Sequence, residues 1–405
     1  MRRLWLLAPL TAIAVTVAPP AASAAPGSLD PSFGRGGIVI TNGFGTPSDA
    51  ILDRNKDILV TVNSNNGGPN GVLRYLPNGA LDSTFGRGGF AALPSGNLIA
   101  TASGIAVQSD GNIVVSSSAI TTDTSQVGVA VARLTSTGSP DTSFGDGGIA
   151  FADVPGGPGA GAVVEDQNGN ILVGGSFLTA GYRSSTTTGV VVRFTKNGQP
   201  DTTFGSGGAV SSTALGGIQT LGVDPSGDVF VLPAAAEISA TGAIIPTAAA
   251  PQITASSQGG PNAFLSNGQS LRTGSVFVFR GNTEVQVRRF QATGALDSSF
   301  TSNPFHYLTG VTARDGSNAI AIEPNGDVVV GGSHWLGTAV LGLARLTPGG
   351  SLDPTFGSQG VLTTTVQGDE SVGTLLAQGN NIVAVGFTED NSTSTAGVAL
   401  ARYLG

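Results

Sequence analysis

The chain of 405 residues contains no cysteine. Thiol nucleophiles, thiolate metal ligands and disulfide staples are therefore excluded, and stability has to come from packing alone. Histidine is almost as scarce. His306 and His334 are the only two, too few for a three-histidine zinc site. Charged residues make up only 11% of the chain. Beyond the N-terminus no extended apolar period of 3.6 occurs, so almost no helix is expected. There is no Gly-x-Ser-x-Gly elbow, no His-Glu-x-x-His pair and no phosphate-binding Gly-x-x-x-x-Gly-Lys loop. Basic residues are outnumbered, 18 against 26 acidic, for a formal net charge of −8. That balance disfavours nucleic acid and anionic membranes as partners.

What the chain does have is glycine, 62 of them, and repetition. Residues 1–24 read as a cleavable export signal: Arg2-Arg3, an apolar run from Leu4 to Ala18, then Ala22-Ser23-Ala24 before a cut at Ala25. The expectation is a secreted, unanchored chain with no membrane span after cleavage, forming one domain over 25–405.

Within that domain the phrase Leu29-Asp30-Pro-Ser-Phe33-Gly34-Arg-Gly36-Gly37 returns as Leu81-Asp82-Ser-Thr-Phe85-Gly86-Arg-Gly88-Gly89. It returns again around Asp141 and Phe144, Asp201 and Phe204, Asp297 and Phe300, and Asp353 and Phe356. A second signature is a hairpin with a polar turn, as in Ser109-Asp110-Gly111-Asn112 or Pro324-Asn325-Gly326-Asp327. Asp-Gly and Asn-Gly between β-branched runs suit such turns because glycine accepts a positive φ. Weaker copies are read at Asp53–Asp57, Arg272–Ser275 and Gly379–Asn381. A third signature is a strand ending in Arg74, Arg133, Arg193, Arg289, Arg345 or Arg402. One unit, about 242–290, is degenerate: Glu237 stands at the Arg position and Ile245 at the Asp position.

Counting each signature gives seven units. Each has room for four short strands: one after Gly-Gly, two in the hairpin and one ending in Arg. Four-stranded units repeated radially define a propeller. The expected fold is all-β, a seven-bladed β-propeller of four-stranded antiparallel blades. The repeated Phe residues are expected to wedge between adjacent sheets, and each Asp to cap its own turn. In five units Arg precedes the next motif Asp by eight residues, which suggests a bridge at each blade junction. Arg402 and Asp30 are the two left over, and their pairing would close the ring.

The three phrases in order resemble the delta-60 repeat family, tandem repeats of exported bacterial proteins. That resemblance implies a β-propeller and an exported setting, and brings no catalytic residues. Without a following helix the glycine loops are not phosphate cradles, and one carboxylate per loop is too few for a tight calcium site. No cofactor and no metal site is expected. Departures from the repeat are more informative. His334-Trp335, Phe305-His306-Tyr307 and Tyr182-Arg183 interrupt loops where sibling units carry small or polar residues. Read as exposed loop aromatics, they are candidate ligand-binding residues. The leading expectation is a monomeric, non-catalytic binding or scaffold module for a protein, glycan or envelope component. The alternative is a metal-assisted hydrolase, lactonase- or glycosidase-like, built on irregular acids such as Glu165, Glu323, Asp369 and Glu370 at the channel.

Overall fold

The computed structural model describes residues 24–64, 67–180, 185–234, 236–245, 259–265, 267–277, 282–307, 314–335, 339–366, 369–390 and 395–405. They form seven radial antiparallel blades with no α-helix among them, only a short 3-10 turn at Thr213–Leu215. Blade 1 is typical. Its inner strand Thr46–Leu52 is followed outward by Ile58–Asn63, Gly71–Tyr75 and Phe90–Ala92. Blades 2, 3 and 4 repeat that order over residues 98–153, 159–212 and 220–245. Among the described residues blade 5 has three strands, Gly259–Phe264, Ser270–Phe277 and Thr283–Phe290, and in place of a fourth a single bridge between Val285 and Phe305. Blade 6 covers residues 314–364, and one parallel bridge, Thr283 to Arg314, joins its sheet to blade 5. Each inner strand contacts that of the next blade, and blade 7 contacts blade 1.

The sequence repeat and the structural blade are out of phase by one strand. The strand after Gly-Gly pairs with the Arg-ending strand before it and so finishes the preceding blade. The first such strand, Ile38–Asn42, has no blade before it. It pairs instead with Thr395–Tyr403 and completes blade 7, which otherwise comes from the C-terminus. One hairpin reading is corrected. Arg272–Ser275 is not a turn but part of the strand Ser270–Phe277. The turn of blade 5 lies just before it, where Leu265 donates to Gln269 and Gly268 has a φ of 82°.

The core lies between blades rather than in one central mass. Val60, Leu73 and Tyr75 of blade 1 pack with Val383, Val385 and Leu400 of blade 7, and comparable clusters fill the other junctions. Phe33, Phe85, Phe144, Phe204, Phe300 and Phe356 are all buried in these seams. Each such ring stabilises the fold by roughly 2–3 kcal/mol through lost apolar surface.

On top of every motif Phe sits the guanidinium of the preceding strand, 4.3–5.0 Å from the ring centroid. The same guanidinium binds the motif Asp: Arg74–Asp82 at 2.6 Å, Arg133–Asp141 and Arg193–Asp201 at 2.8 Å, Arg289–Asp297 at 2.7 Å and Arg345–Asp353 at 2.8 Å. Arg402 and Asp30, 372 positions apart, meet in the same way at 2.9 Å. The second Asp oxygen caps its own turn, accepting from the backbone and hydroxyl of the Ser or Thr two residues on. Five of these guanidinium groups also donate to a turn carbonyl of the next blade, as Arg133 does to Lys196 at 2.7 Å. The motif glycine is needed for close approach. Gly86 has a φ of 53°, and a Cβ there would lie 2.3 Å from the Phe90 carbonyl oxygen. Its N–H donates to Thr137 of the next blade at 2.9 Å.

Burial alone would raise the motif carboxyls. The Ser or Thr hydrogen bonds and the guanidinium outweigh it and hold Asp30, Asp82, Asp141, Asp201 and Asp353 below the usual range. At Asp297 the Ser299 and Arg289 side chains dominate and bring the value down to about 2.

Candidate functional site

Strand direction gives the disc two unlike faces. The motif turns, their Arg–Asp pairs and the first hairpin turns lie on one face, which is committed to holding blades together. The connections between second and third strands, and those between blades, lie on the other. This second face carries the residues that depart from the repeat.

Asp315 is the second residue of the inner strand of blade 6, in register with His334 on the adjoining strand. His306 arrives from the segment after the Phe305 bridge. Asp315 Oδ2 lies 2.7 Å from His306 Nδ1 and accepts from the Tyr307 backbone N–H at 3.3 Å, while Oδ1 lies 2.5 Å from His334 Nδ1. The chain's only two histidines therefore share one carboxylate shut off from solvent. A carboxylate accepts, so both rings are held with Nδ1 toward it and Nε2 turned away. His306 Nε2 lies 3.4 Å from Glu284. His334 Nε2 is buried without a hydrogen-bond partner among the described residues. Of the two rings only that of His306 retains solvent access.

The expectation of exposed loop aromatics is corrected at three positions. Phe305 and Tyr307 are buried in the seam between blades 5 and 6, with ring centroids 6.1 Å apart in an edge-on pair. His334 is likewise buried, and His334-Trp335 ends a strand instead of interrupting a loop. Trp335 is exposed, at 46%. Tyr182 and Arg183 lie outside the described residues.

The acids singled out in the sequence do not converge. Glu165 ends the inner strand of blade 3 on the motif face and accepts from Gln108 and Ser109 at 2.9 and 2.6 Å. Glu323 is buried beside Arg345 on the same face, three blades away, and burial raises its carboxyl. Glu370, near the start of the inner strand of blade 7 on the opposite face, accepts from Val366 at 2.6 Å. The Asp369 side chain lies outside what the structure describes.

A carboxylate that sequence reasoning missed sits nearer the axis. Asp49 follows a bulge in the inner strand of blade 1. It accepts from Ile105 of blade 2 at 3.2 Å and from the Thr374 hydroxyl of blade 7 at 3.3 Å. Burial pushes its pKa up to about 6 despite these hydrogen bonds. It lines a cavity of 90 Å³ together with Ser48, Ser371 and Thr374. The one available signal was an acid inside an inner strand where siblings carry Gly or small residues.

Large apolar side chains complete this face. Ile99 is 69% and Leu178 68% exposed, and Ile120, cross-strand partner of Ile99, is also exposed. A groove of 420 Å³ between blades 1 and 2 runs beside them, lined by Pro69, Leu93, Pro94, Leu98 and Ile99.

Four stretches of the chain, residues 58–85, 108–144, 167–204 and 323–356, match a family model described as a domain of unknown function (DUF5122), beta-propeller. No curated protein matches the chain. Among solved structures the chain is similar to a protein of unknown function from Dyadobacter fermentans DSM 18053, at a TM-score of 0.41 and 11% identity over 90% of this chain and 99% of that one. It is similar to the alpha-L-arabinofuranosidase Arb93A from Fusarium graminearum, at 0.41 and 10% over 90% and 96%. A third is an alpha-L-arabinanase from Penicillium chrysogenum complexed with arabinobiose, at 0.39 and 13% over 89% and 98%. At such identities these likenesses carry no argument about activity.

Proposed function

We propose that the chain is an exported binding module, a single propeller domain over 25–405 that recognises a glycan or protein partner through the face opposite its motif turns. The repeat phrases support grouping it with the delta-60 repeats, and the signal-like residues 1–24 support export. The observation that carries the reading is positional. Ile99, Ile120, Leu178 and Trp335 stand exposed near strand ends on one face, Ile99 and Leu178 more so than any other large apolar residue described. The motif face exposes Leu76, Ile245 and Leu296 among the turns of its inter-blade clamps. Exposed apolar side chains gathered on one face mark recognition surfaces. The test is the melting temperature of the chain starting at Ala25, measured against a panel of soluble glycans and isolated envelope proteins. The expected result is a saturable rise with one class that Trp335→Ala or Ile99→Ser abolishes while leaving the unliganded melting point nearly unchanged. A rise that survives both substitutions removes this face as the binding site.

Asp49 favours a second reading, a hydrolase. A carboxyl with a pKa near 6 beside a hydroxyl-lined cavity has the properties of a general acid or base. This reading predicts sugar-ester or glycoside hydrolysis that Asp49→Asn eliminates. If Asp49 only ties three blades together, the same substitution raises the melting temperature at pH 7 more than at pH 4. The sign follows from the raised pKa: charging Asp49 costs folded-state stability as pH climbs from about 4 through 6.

A further inference from the structure

The seam between blades 4 and 5 lacks every part of the clamp found elsewhere. Glu237 replaces its Arg and Ile245 its Asp, and Ala248 falls where the motif Phe would stand. In exchange this seam holds Arg272. Strand register identifies what Arg272 replaces. Leu271 faces Arg289 across the sheet as Leu59 faces Arg74, Val114 faces Arg133 and Leu172 faces Arg193. The residues one step on in the other six blades are Val60, Val115, Val173, Val231, Val330 and Ala384, all buried in the seam with the preceding blade. Arg272 alone puts a cation in this position.

It is 1% exposed, yet Nε and both terminal nitrogens have no hydrogen-bond partner among the described residues. The guanidinium lies 4.1 Å from the centroid of Phe290, the same stacking that each clamp Arg makes on its motif Phe. Only the carboxylate is missing. In the sequence, residues 246–258 include no Asp or Glu, and among the described residues no ion pair joins Glu237 to Arg272. Burial presses the Arg272 pKa down to about 10, so the cation persists at neutral pH.

Beside the guanidinium is a cavity of 30 Å³. Phe230, Val231 and Ala236 form its blade 4 wall, and Ser270, Arg272 and Gln291 its blade 5 wall. Space for one water needs roughly 10–15 Å³ by the same measure, so the cavity suits a chloride ion or a single carboxylate group. Water could hydrate the donors but leaves the charge uncompensated, and burying an unpaired charge is strongly unfavourable.

We propose that this cleft is a binding site for a small monoanion, either a free halide or the carboxylate group of a ligand, with Arg272 as its counter-ion. The anion takes over the charge-balancing role that the motif Asp has at the clamped seams. It accepts from the guanidinium fork and neutralises the one stacked arginine among the described residues that has no acid. The site is separate from the exposed aromatic and apolar residues of the opposite face, so neither proposal depends on the other.

The test is thermal melting of the chain from Ala25 at fixed ionic strength, replacing sodium methanesulfonate stepwise by sodium chloride in one arm and sodium formate in the other. Methanesulfonate, bulkier than either chloride or formate, serves as the balancing salt. At about tenfold excess over Kd the melting temperature is expected to rise saturably by about 1–3 °C. Which arm responds at lower concentration tells halide from carboxylate. Arg272→Val installs the residue found in five of the other six blades at this position and is expected to fold and to lose the response. Arg272→Gln keeps donors without charge and is expected to lose most of it. No saturable response in either arm overturns the proposal, as does a response that both variants retain.

Discussion

The seam between blades 1 and 2 and the seam between blades 4 and 5 are built from the same strand order and differ in how they handle charge. In the first, Arg74 stacks on Phe85, pairs with Asp82 and reaches Ser136 of the next blade, so that one side chain serves three partners. In the second the Arg, the Asp and the Phe are all gone, and a stacked arginine enters from the neighbouring strand without an acid. The contrast teaches that the blade architecture needs apolar filling at every seam but tolerates the loss of a complete clamp. A seam released from the clamp can bury a side chain that the others could not.

Acid should erase the contrast by weakening every clamp together, and it is the largest effect expected. The motif carboxyls titrate below their unfolded values, Asp297 at about 2. Their contribution is therefore complete above about pH 4 and is lost as pH falls toward 2. The melting temperature should drop steeply over that window, while the blade 4/5 seam, having no motif Asp, adds nothing to the slope. A flat profile from pH 4 to 2 would show that the pairs are energetically idle.

Arg402→Ala comes next. It strips Asp30, Pro77 and Gln378 of a partner and uncovers Phe33 at the point where the two chain ends close the ring. Leaving Asp30 buried and unpaired should cost about 2–4 kcal/mol, read by denaturant unfolding. Arg74 and Asp82 lie on one continuous strand–turn segment, whereas Arg402 and Asp30 come from opposite chain ends, so Arg74→Ala should cost less. Equal losses would mean that the closure has no special weight.

The smallest effect sharpens the comparison by rebuilding what is missing. Glu237→Arg with Ile245→Asp should be more stable together than the two single changes imply, by about 1 kcal/mol in a double-mutant cycle. Zero coupling would show that this seam has diverged in backbone as well as in side chains.

Much of this was legible in the chain. Seven units, four strands in all but the fifth, the eight-residue Arg-to-Asp spacing and the pairing of Arg402 with Asp30 all follow from counting, because the repeat writes each junction out locally. The phase of the blades was not legible. Whether the strand after Gly-Gly joins the sheet before or behind it depends on hydrogen bonds between strands, not on its own residues. The site was harder to read. The two histidines were visible as departures, but Asp315, which joins them, looked like any polar residue until antiparallel register placed it opposite His334. Arg272 was read as part of a turn because Arg-Thr-Gly-Ser resembles one, while Asn267-Gly268 just before it is the stronger turn signal.

By itself the sequence determined the number of blades, the lack of α-helix among the described residues and the clamps that fasten one blade to the next. These rest on contacts between residues at a constant spacing, written out again in each unit. Only the tertiary structure decided which residues share a face, which departures are buried, and where a charge is left without its opposite. Those are properties of seams between blades, where residues forty or more positions apart meet and each side chain's neighbours come from a different copy of the repeat.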